Sequence, residues 1–187
     1  MSTIQLMNPE VAEASPPAGL RMAARPGLRA GSRLTLIDNG KARARDLMLM
    51  IAEELKQRFT LGSVEVFSKG SASRVINEEE VAAIAATSDA VIAGLGDCGA
   101  CSTCSLGDAL KMEGAGIPST VLISDVFIGH IASVAVMMGM PGYHTAVVPH
   151  PVSSKNDDQL TAFAVLAVDQ VRQQLVGPTV IAPVAAN

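Results

Sequence analysis

The sequence contains no tryptophan, and aromatic residues make up only 3% of its 187 positions. Because 49% of the residues are hydrophobic, we expect a core built from Ala, Val, Ile, Leu and Met. Basic charge is also scarce, with a net charge of −4 and an isoelectric point near 5.3. Since nucleic-acid binding requires concentrated basic charge, a nucleic-acid partner is not expected.

Signals for export and membrane insertion are absent from the expected places. The first fifteen residues have neither a basic start nor an apolar run, so no secretory signal is predicted. The longest uncharged apolar stretch, around 131–149, is interrupted by Pro141, Gly142 and His144, which argues against a membrane span. We therefore expect a cytoplasmic protein without a membrane partner, in which clustered thiols are catalytic or metal-binding.

The pattern of the chain predicts three regions. Residues 1–31 are rich in Pro, Ala, Gly and Arg and predict an extended N-terminal arm, residues 32–176 predict a single α/β domain, and residues 177–187 predict a C-terminal tail. Within the domain, short apolar runs alternate five times with amphipathic segments. This alternation predicts a three-layer α/β/α fold around a five-stranded, mostly parallel sheet of the flavodoxin or Rossmann type.

Two of these segments have a distinctive apolar pattern. The run "DAVIAGLG" is continuously apolar, which is typical of a strand buried on both faces. The segment "VFIGHIASVAVMMGM" is apolar almost all round and predicts a buried or interface helix.

In such folds, ligands bind where the strands end at their carboxyl side. The predicted strand ends are "DNGK" (38–41), "SKG" (68–70), "GDCGAC" (96–101), "SD" (124–125) and "PHP" (149–151). We expect these separated segments to share one rim of the sheet. All three cysteines of the chain and His150 lie on or next to that rim.

The cysteines occur together as Cys98, Cys101 and Cys104 in "GDCGACSTCSLGDAL". A strand ending at Gly94–Gly96 and a helix starting at about Cys101 would place Cys98 beside a helix N-terminus, where a thiolate is favoured. Cys101 could then resolve a mixed disulfide or a sulfenate formed on Cys98. The alternative is that the three thiols are small buried core residues.

A metal site is the second alternative for the cysteine cluster. Cys-x-x-Cys-x-x-Cys is the beginning of a bacterial iron–sulfur sequence, but the fourth Cys and its Pro are missing. Zinc would need a further ligand, such as His130 or His150. No cofactor is expected, and an iron–sulfur cluster or zinc on Cys98, Cys101 and Cys104 stays the alternative.

Other polar residues on the rim complete the candidate site. His150 lies between two prolines, whose stiff backbone would hold its ring outward for proton transfer. His130, in the first turn of the apolar helix, is as consistent with a satisfied buried histidine as with a functional one. Lys41 could capture a carboxylate or phosphate beside the Asn39–Gly40 turn, although an ordinary turn explains this pattern equally well. The predicted catalytic residues are Cys98, Cys101, His150 and Asp97, and the predicted substrate-binding residues are Asn39, Gly40, Lys41, Asp125, His130 and Ser153.

Three stretches carry a resemblance to a known family: "LIDNGKARARDLM", "GLGDCGACSTCSLGDALKMEGAGIPSTVLISDVF" and "MGMPGYHTAVVPHPVS". Together they resemble the UGSC-type (seleno)proteins and, more distantly, the selenocysteine-containing B subunits of glycine, sarcosine, betaine and proline reductases. The resemblance covers most of residues 32–155 and aligns Cys98 with the selenocysteine. It departs from the family pattern at Cys98 itself, where sulfur replaces selenium, and at Ala100, where Ser or Thr is usual.

The resemblance implies that Cys98 attacks an activated carbon or heteroatom of a small molecule. We therefore expect a thiol-dependent oxidoreductase of reductase type, with lyase or hydrolase chemistry as alternatives. The expected partners are a small-molecule substrate and a thiol reductant protein, and the chain is expected to form a homo-oligomer or to be a subunit of a hetero-complex. A non-catalytic subunit of a larger reductase complex is the remaining alternative.

Overall fold

The computed structural model describes residues 20–177. The first nineteen residues of the predicted arm and residues 178–187 of the predicted tail lie outside this range.

Strands and helices alternate along the described chain. In order, the elements are β1 (Arg33–Asp38), α1 (Ala44–Phe59), β2 (Ser63–Ser68), α2 (Glu78–Thr87), β3 (Ala90–Gly96), α3 (Gly99–Gly114), β4 (Ser119–Ser124), a short 3-10 helix (Asp125–Phe127), α4 (Ile128–Met137), β5 (Ala146–Val148) and α5 (Asp157–Val176).

The five strands form one sheet in the order β2-β1-β3-β4-β5, and every neighbouring pair is parallel. Helices α1 and α5 pack on one face of the sheet, whereas α2, α3 and α4 pack on the other. The predicted three-layer α/β fold is therefore confirmed, and the strand order is the flavodoxin-like one. The order reverses between β1 and β3, which makes the carboxyl ends of these two strands the switch point where such folds bind ligands.

The sheet centre is packed closely enough to fix the start of α3. All residues of β3 are buried, as its continuous apolar run predicted. A Cβ at Gly96 would lie 2.8 Å from both the Oγ of Ser102 and the Cγ2 of Ile123. Only glycine therefore lets the first turn of α3 approach the end of β3 this closely.

Helix α4 is less buried than its composition predicted. Within the helix only Ile131 and Ala135 are buried, and Met137 is 81% exposed. The prediction of a buried helix is therefore wrong for the described chain, and the alternative of an interface helix is left open. None of the helices in residues 20–177 is both long and apolar enough to span a membrane.

The described end of the arm lies against the domain at the edge opposite the rim. The Arg25 guanidinium bonds both carboxylate oxygens of Glu113, at 2.5 and 2.8 Å, and the Glu113 side chain is fully buried. The Ala23 amide donates to the same carboxylate at 2.6 Å, and the Ser119 amide at the start of β4 donates at 2.8 Å. This carboxylate therefore joins the arm to α3 and β4.

Candidate functional site

Cys98 is the residue that caps the N-terminus of α3. The helix begins at Gly99, two residues before the predicted start, and the Cys101 amide donates to the Cys98 Sγ at 3.3 Å. Unpaired amides and the positive end of the helix dipole favour negative charge at this position. The local structure therefore favours a thiolate on Cys98 when the thiol is reduced.

Cys98 and Cys101 are joined by a disulfide, with their Cα atoms 5.4 Å apart. Cys101 is buried, with 1% of its surface exposed, whereas Cys98 is half-buried. Of the two residues, Cys98 is therefore the one that solvent reaches. Cys104, one helical turn further on, is a free and half-buried thiol.

His150 is held by the residue that precedes the first cysteine. Its Nδ1 lies 2.9 Å from the Oδ1 of Asp97, whose side chain is only 5% exposed. Because an ionised carboxylate only accepts hydrogen bonds, Nδ1 carries a proton and Nε2 is the nitrogen that can exchange one with a substrate. Ser124 lies 3.1 Å from the same Nδ1 and donates to the Gly96 carbonyl at 3.3 Å.

The backbone around His150 is fixed by two carboxylates. The His150 amide donates to Asp125 at 3.2 Å, and the Val152 amide donates to Asp97 at 3.3 Å. The ring of Phe127 packs edge-on against His150, with their centroids 5.9 Å apart. The fold thus brings together Asp97, Asp125 and His150, three residues that the sequence placed on the rim.

His130 connects α4 with the first turn of α3. Its Nε2 lies 2.9 Å from the Oγ1 of Thr103 and 3.1 Å from the Gly99 carbonyl oxygen. Since a carbonyl only accepts, Nε2 carries the proton in this contact. The side chain is hydrogen-bonded but exposed, so the alternative of a satisfied buried histidine is wrong, and a functional role of His130 stays a prediction.

The end of β1 lies next to this turn. The Asn39 side chain is buried, and its amide donates to the Leu95 carbonyl at 2.9 Å and to Ser105 at 3.1 Å. These bonds link β1, β3 and α3, so Asn39 shapes the rim, and its predicted role in substrate binding stays a prediction. Gly40 has a left-handed φ of 75°, and Lys41 is half-buried beside it.

The remaining predicted binding residue, Ser153, is exposed. Its role in holding a substrate also stays a prediction.

Sequence reasoning missed a buried ion pair beside the rim. Lys69, directly after β2, forms an ion pair with Asp108 of α3, and both side chains are fully buried. Lys69 also donates to the Arg74 carbonyl at 2.6 Å, and the Ile76 amide donates to Asp108 at 2.8 Å. Burial raises the pKa of Asp108, although Lys69 acts in the opposite direction. The pair therefore fixes the loop between β2 and α2.

The structure also bears on where other ligands could lie. Within residues 20–177, no group of three or more His, Cys, Asp or Glu side chains converges to hold a metal ion, and the metal alternative stays a prediction.

A cavity of about 520 Å³ lies at the edge opposite the rim, between Arg25, His144 and Gln174. It is lined by none of the predicted site residues, so we assign the chemistry to the rim and not to this cavity.

Fold and site together define a flavodoxin-like α/β protein with a thiol pair at the N-terminus of the helix that follows β3. A family model described as the UGSC family matches residues 5–177. The chain therefore belongs to the UGSC family, as the sequence motifs predicted. Searches of curated proteins and of solved structures gave no match. The more distant relation to reductase B subunits is not shown by these comparisons and stays a prediction.

Proposed function

We propose that this protein is a thiol-dependent enzyme of reductase type, in which Cys98 attacks a small polar substrate at the rim. The observation that carries the proposal is the position of Cys98 at the N-cap of α3, where it is bonded to Cys101. The proposal is supported by the pair of Asp97 and His150, because Asp97 directly precedes Cys98 and His150 can donate and accept a proton.

In the first half of the proposed reaction, the Cys98 thiolate forms a bond to an electrophilic carbon or heteroatom of the substrate. The bond between that atom and its leaving group breaks, and the leaving group departs with the electron pair. Nε2 of a protonated His150 gives the departing group its proton. Lys41 and Ser153 are the candidates for holding the polar end of the substrate.

In the second half, the Cys101 thiolate attacks the Cys98 sulfur and forms the disulfide. The bond between Cys98 and the substrate fragment breaks, and the fragment takes the electron pair and a proton. The substrate is thereby reduced by two electrons and the thiol pair is oxidised. The disulfide in the structure corresponds to the end of this half-reaction. A cytoplasmic setting, as the sequence predicted, would supply thiols for its reduction.

A version without net redox change uses the same nucleophile. Elimination or hydrolysis would release Cys98 as a thiolate without forming a disulfide, which is the lyase or hydrolase alternative. Such an enzyme would turn over many times without an external reductant, whereas the reductase needs one equivalent of reductant per turnover. This requirement separates the two versions.

The experiment is mass spectrometry of the intact, reduced protein after incubation with small polar candidate substrates under anaerobic conditions. We expect either an adduct on Cys98 or a Cys98–Cys101 disulfide, together with the product. Cys98→Ser should abolish both, and Cys104→Ser, which removes a thiol of similar exposure, is the matched control. Full activity of Cys98→Ser on a substrate that the wild-type protein converts would disprove the proposal.

A second candidate function is favoured by the exposed apolar residues of α4. In this alternative the chain is a non-catalytic subunit or redox carrier of a larger complex, bound through that helix. Purification of the complex from its source, compared with the activity of the chain alone, discriminates between the two candidates. Activity that appears only in the complex, and that survives Cys98→Ser, would favour the subunit.

A further inference from the structure

The proton transfer in the proposed reaction depends on one ring nitrogen of His150. This inference rests on the proposed function, because it concerns a residue that prepares His150 for the role given to it there. Nε2 is free to exchange a proton with a substrate only while the other ring proton stays on Nδ1. The groups that contact Nδ1 therefore determine how His150 can act.

Two side chains reach Nδ1 from the ends of two neighbouring strands. The Oδ1 of Asp97, directly after β3, lies 2.9 Å from Nδ1, and the Oγ of Ser124, the last residue of β4, lies 3.1 Å from it. Ser124 is fully buried, so it offers no surface to a substrate. Any contribution of Ser124 to the reaction must therefore pass through His150.

The direction of the Ser124 hydroxyl follows from its second contact. Its Oγ lies 3.3 Å from the carbonyl oxygen of Gly96, which can only accept a hydrogen bond. A hydroxyl has one proton, so a proton given to Gly96 leaves the lone pairs of Oγ to accept from Nδ1. The opposite direction would leave Nδ1 without a proton beside the Asp97 carboxylate, which would place two acceptors 2.9 Å apart. The Nδ1 proton is therefore shared between Asp97 and Ser124.

The two acceptors differ in how they are held. Ser124 belongs to the sheet, where β4 pairs with β3 on one side and with β5 on the other. Asp97 lies in the turn before α3, and its carboxylate also accepts from the Val152 amide at 3.3 Å. With one hydrogen bond the His150 ring could pivot about Nδ1, whereas a second acceptor in another direction restrains it. The ring of Phe127, 5.9 Å from that of His150 between centroids, adds a contact with the ring.

We propose that Ser124 is a positioning residue, which together with Asp97 keeps a proton on Nδ1 and so reserves Nε2 of His150 for exchange with the substrate. When Nε2 gives its proton to the leaving group, the ring becomes neutral and keeps the Nδ1 proton. The hydroxyl itself gains and loses no proton.

The same three residue types occur in serine hydrolases, but their arrangement here is different. In a hydrolase triad the serine hydroxyl is bonded to Nε2, and the carboxylate alone is bonded to Nδ1. Here Ser124 and Asp97 both lie at Nδ1 of His150, and Ser124 is buried. Ser124 is therefore placed to orient the histidine and not to act as a nucleophile.

The experiment is nuclear magnetic resonance of the oxidised full-length protein, labelled with nitrogen-15 at histidine, without any substrate. The chain has three histidines, so His130 and His144 are internal references. Nitrogen shifts at alkaline pH, where histidine is neutral, report which ring nitrogen carries the proton. Saturation transfer from water reports how fast the Nδ1 proton exchanges. Ser124→Ala is compared with Ser119→Ala, which removes another buried hydroxyl at the opposite end of β4.

In the wild-type protein we expect a proton on Nδ1 of His150 and none on Nε2. In Ser124→Ala the proton should stay on Nδ1, because Asp97 remains, but it should exchange with water about fivefold faster. The reason is that losing one hydrogen bond of ordinary strength makes local opening about fivefold more frequent. Ser119→Ala should keep the wild-type exchange rate, because its hydroxyl bonds the Ile117 carbonyl and not His150.

Three results would overturn the proposal. The first is a neutral His150 with its proton on Nε2, and this result needs no variant, so it decides even if Ser124→Ala does not fold. The second is an unchanged exchange rate in Ser124→Ala. The third is equal acceleration in Ser119→Ala, or a change in the signals of His130 and His144 as large as that in His150, which would show a general effect on the fold.

The outcome is separate from that of the proposed function, because no substrate is present. Expected signals from His150 in a chain that converts no substrate would refute the enzyme and leave the role of Ser124 at Nδ1 standing. Conversely, an adduct on Cys98 in a chain whose His150 carries its proton on Nε2 would support the enzyme and refute the role of Ser124.

Discussion

Removing the buried carboxylate of Asp108 should destabilise the protein strongly. In Asp108→Asn the amide oxygen can still accept from the Ile76 amide, but the fully buried Lys69 ammonium loses its counter-charge. Leaving one charge of a buried pair uncompensated costs about 3–5 kcal/mol. For a chain of this size, the loss corresponds to a decrease of about 6–20 °C in the midpoint of thermal unfolding.

The assay is urea unfolding followed by circular dichroism, with thermal unfolding as a second measurement. Glu78→Gln is the matched control, because it breaks an exposed pair between Glu78 of α2 and Lys111 of α3, in which the Glu78 side chain is 85% exposed. An exposed pair contributes about 1 kcal/mol or less. Removing both buried charges, as in Lys69→Met with Asp108→Asn, should restore part of the lost stability. Equal destabilisation by Asp108→Asn and Glu78→Gln, or no recovery in the double variant, would refute the reasoning.

Three further predictions concern the thiols and a surface carboxylate. Cys101→Pro removes the amide hydrogen that bonds the Cys98 sulfur, whereas Cys101→Ser keeps it. Because such a hydrogen bond contributes about 1 kcal/mol, the Pro variant should have about fivefold less Cys98 thiolate than the Ser variant at neutral pH. The thiolate is measured by its ultraviolet absorbance. The hydrogen bond from Arg74, followed by the Asn77 amide, lowers the pKa of Glu80 from 4.5 to about 2. The ionised Glu80 carboxylate therefore stabilises the fold above pH 4.5, and this stabilisation is lost as the pH falls toward about 2. In Glu80→Gln, the free energy of unfolding measured in urea should decrease less over that pH interval than in the wild-type protein. Protein purified anaerobically should contain neither iron nor zinc in stoichiometric amount by elemental analysis, and a stoichiometric metal lost in Cys104→Ser would favour the metal alternative.

The location of the site could be predicted because it depends on topology. Alternating apolar runs and amphipathic segments implied parallel strands, and the carboxyl ends of parallel strands meet at one edge. This argument alone brought Asp97, Asp125 and His150 to the same rim, although up to 53 residues separate them in the chain. The start of α3 was displaced by two residues because Cys98, which is an uncommon N-cap residue, takes the capping position.

Contacts between side chains that are distant in sequence could not be predicted. Lys69 and Asp108 pair across 39 positions, and a single charge in each segment gives no indication of its partner. The exposure of α4 could not be predicted either, because a helix that is apolar on all sides has the same sequence pattern whether its own chain or another protein covers it. The contacts of Thr103 with His130 and of Ser124 with His150 could not be predicted for the same reason, although Ser124 lies in a predicted strand end.

The arm that precedes the first strand has a consequence for truncation. A shortened chain that begins at Ser32 would satisfy the alternation of strands and helices but would lack Arg25 and the Ala23 amide. Glu113 would then keep its buried carboxylate with the Ser119 amide and without the opposing charge. The contacts that satisfy this buried carboxylate therefore extend beyond the α/β repeat and include Ala23 and Arg25.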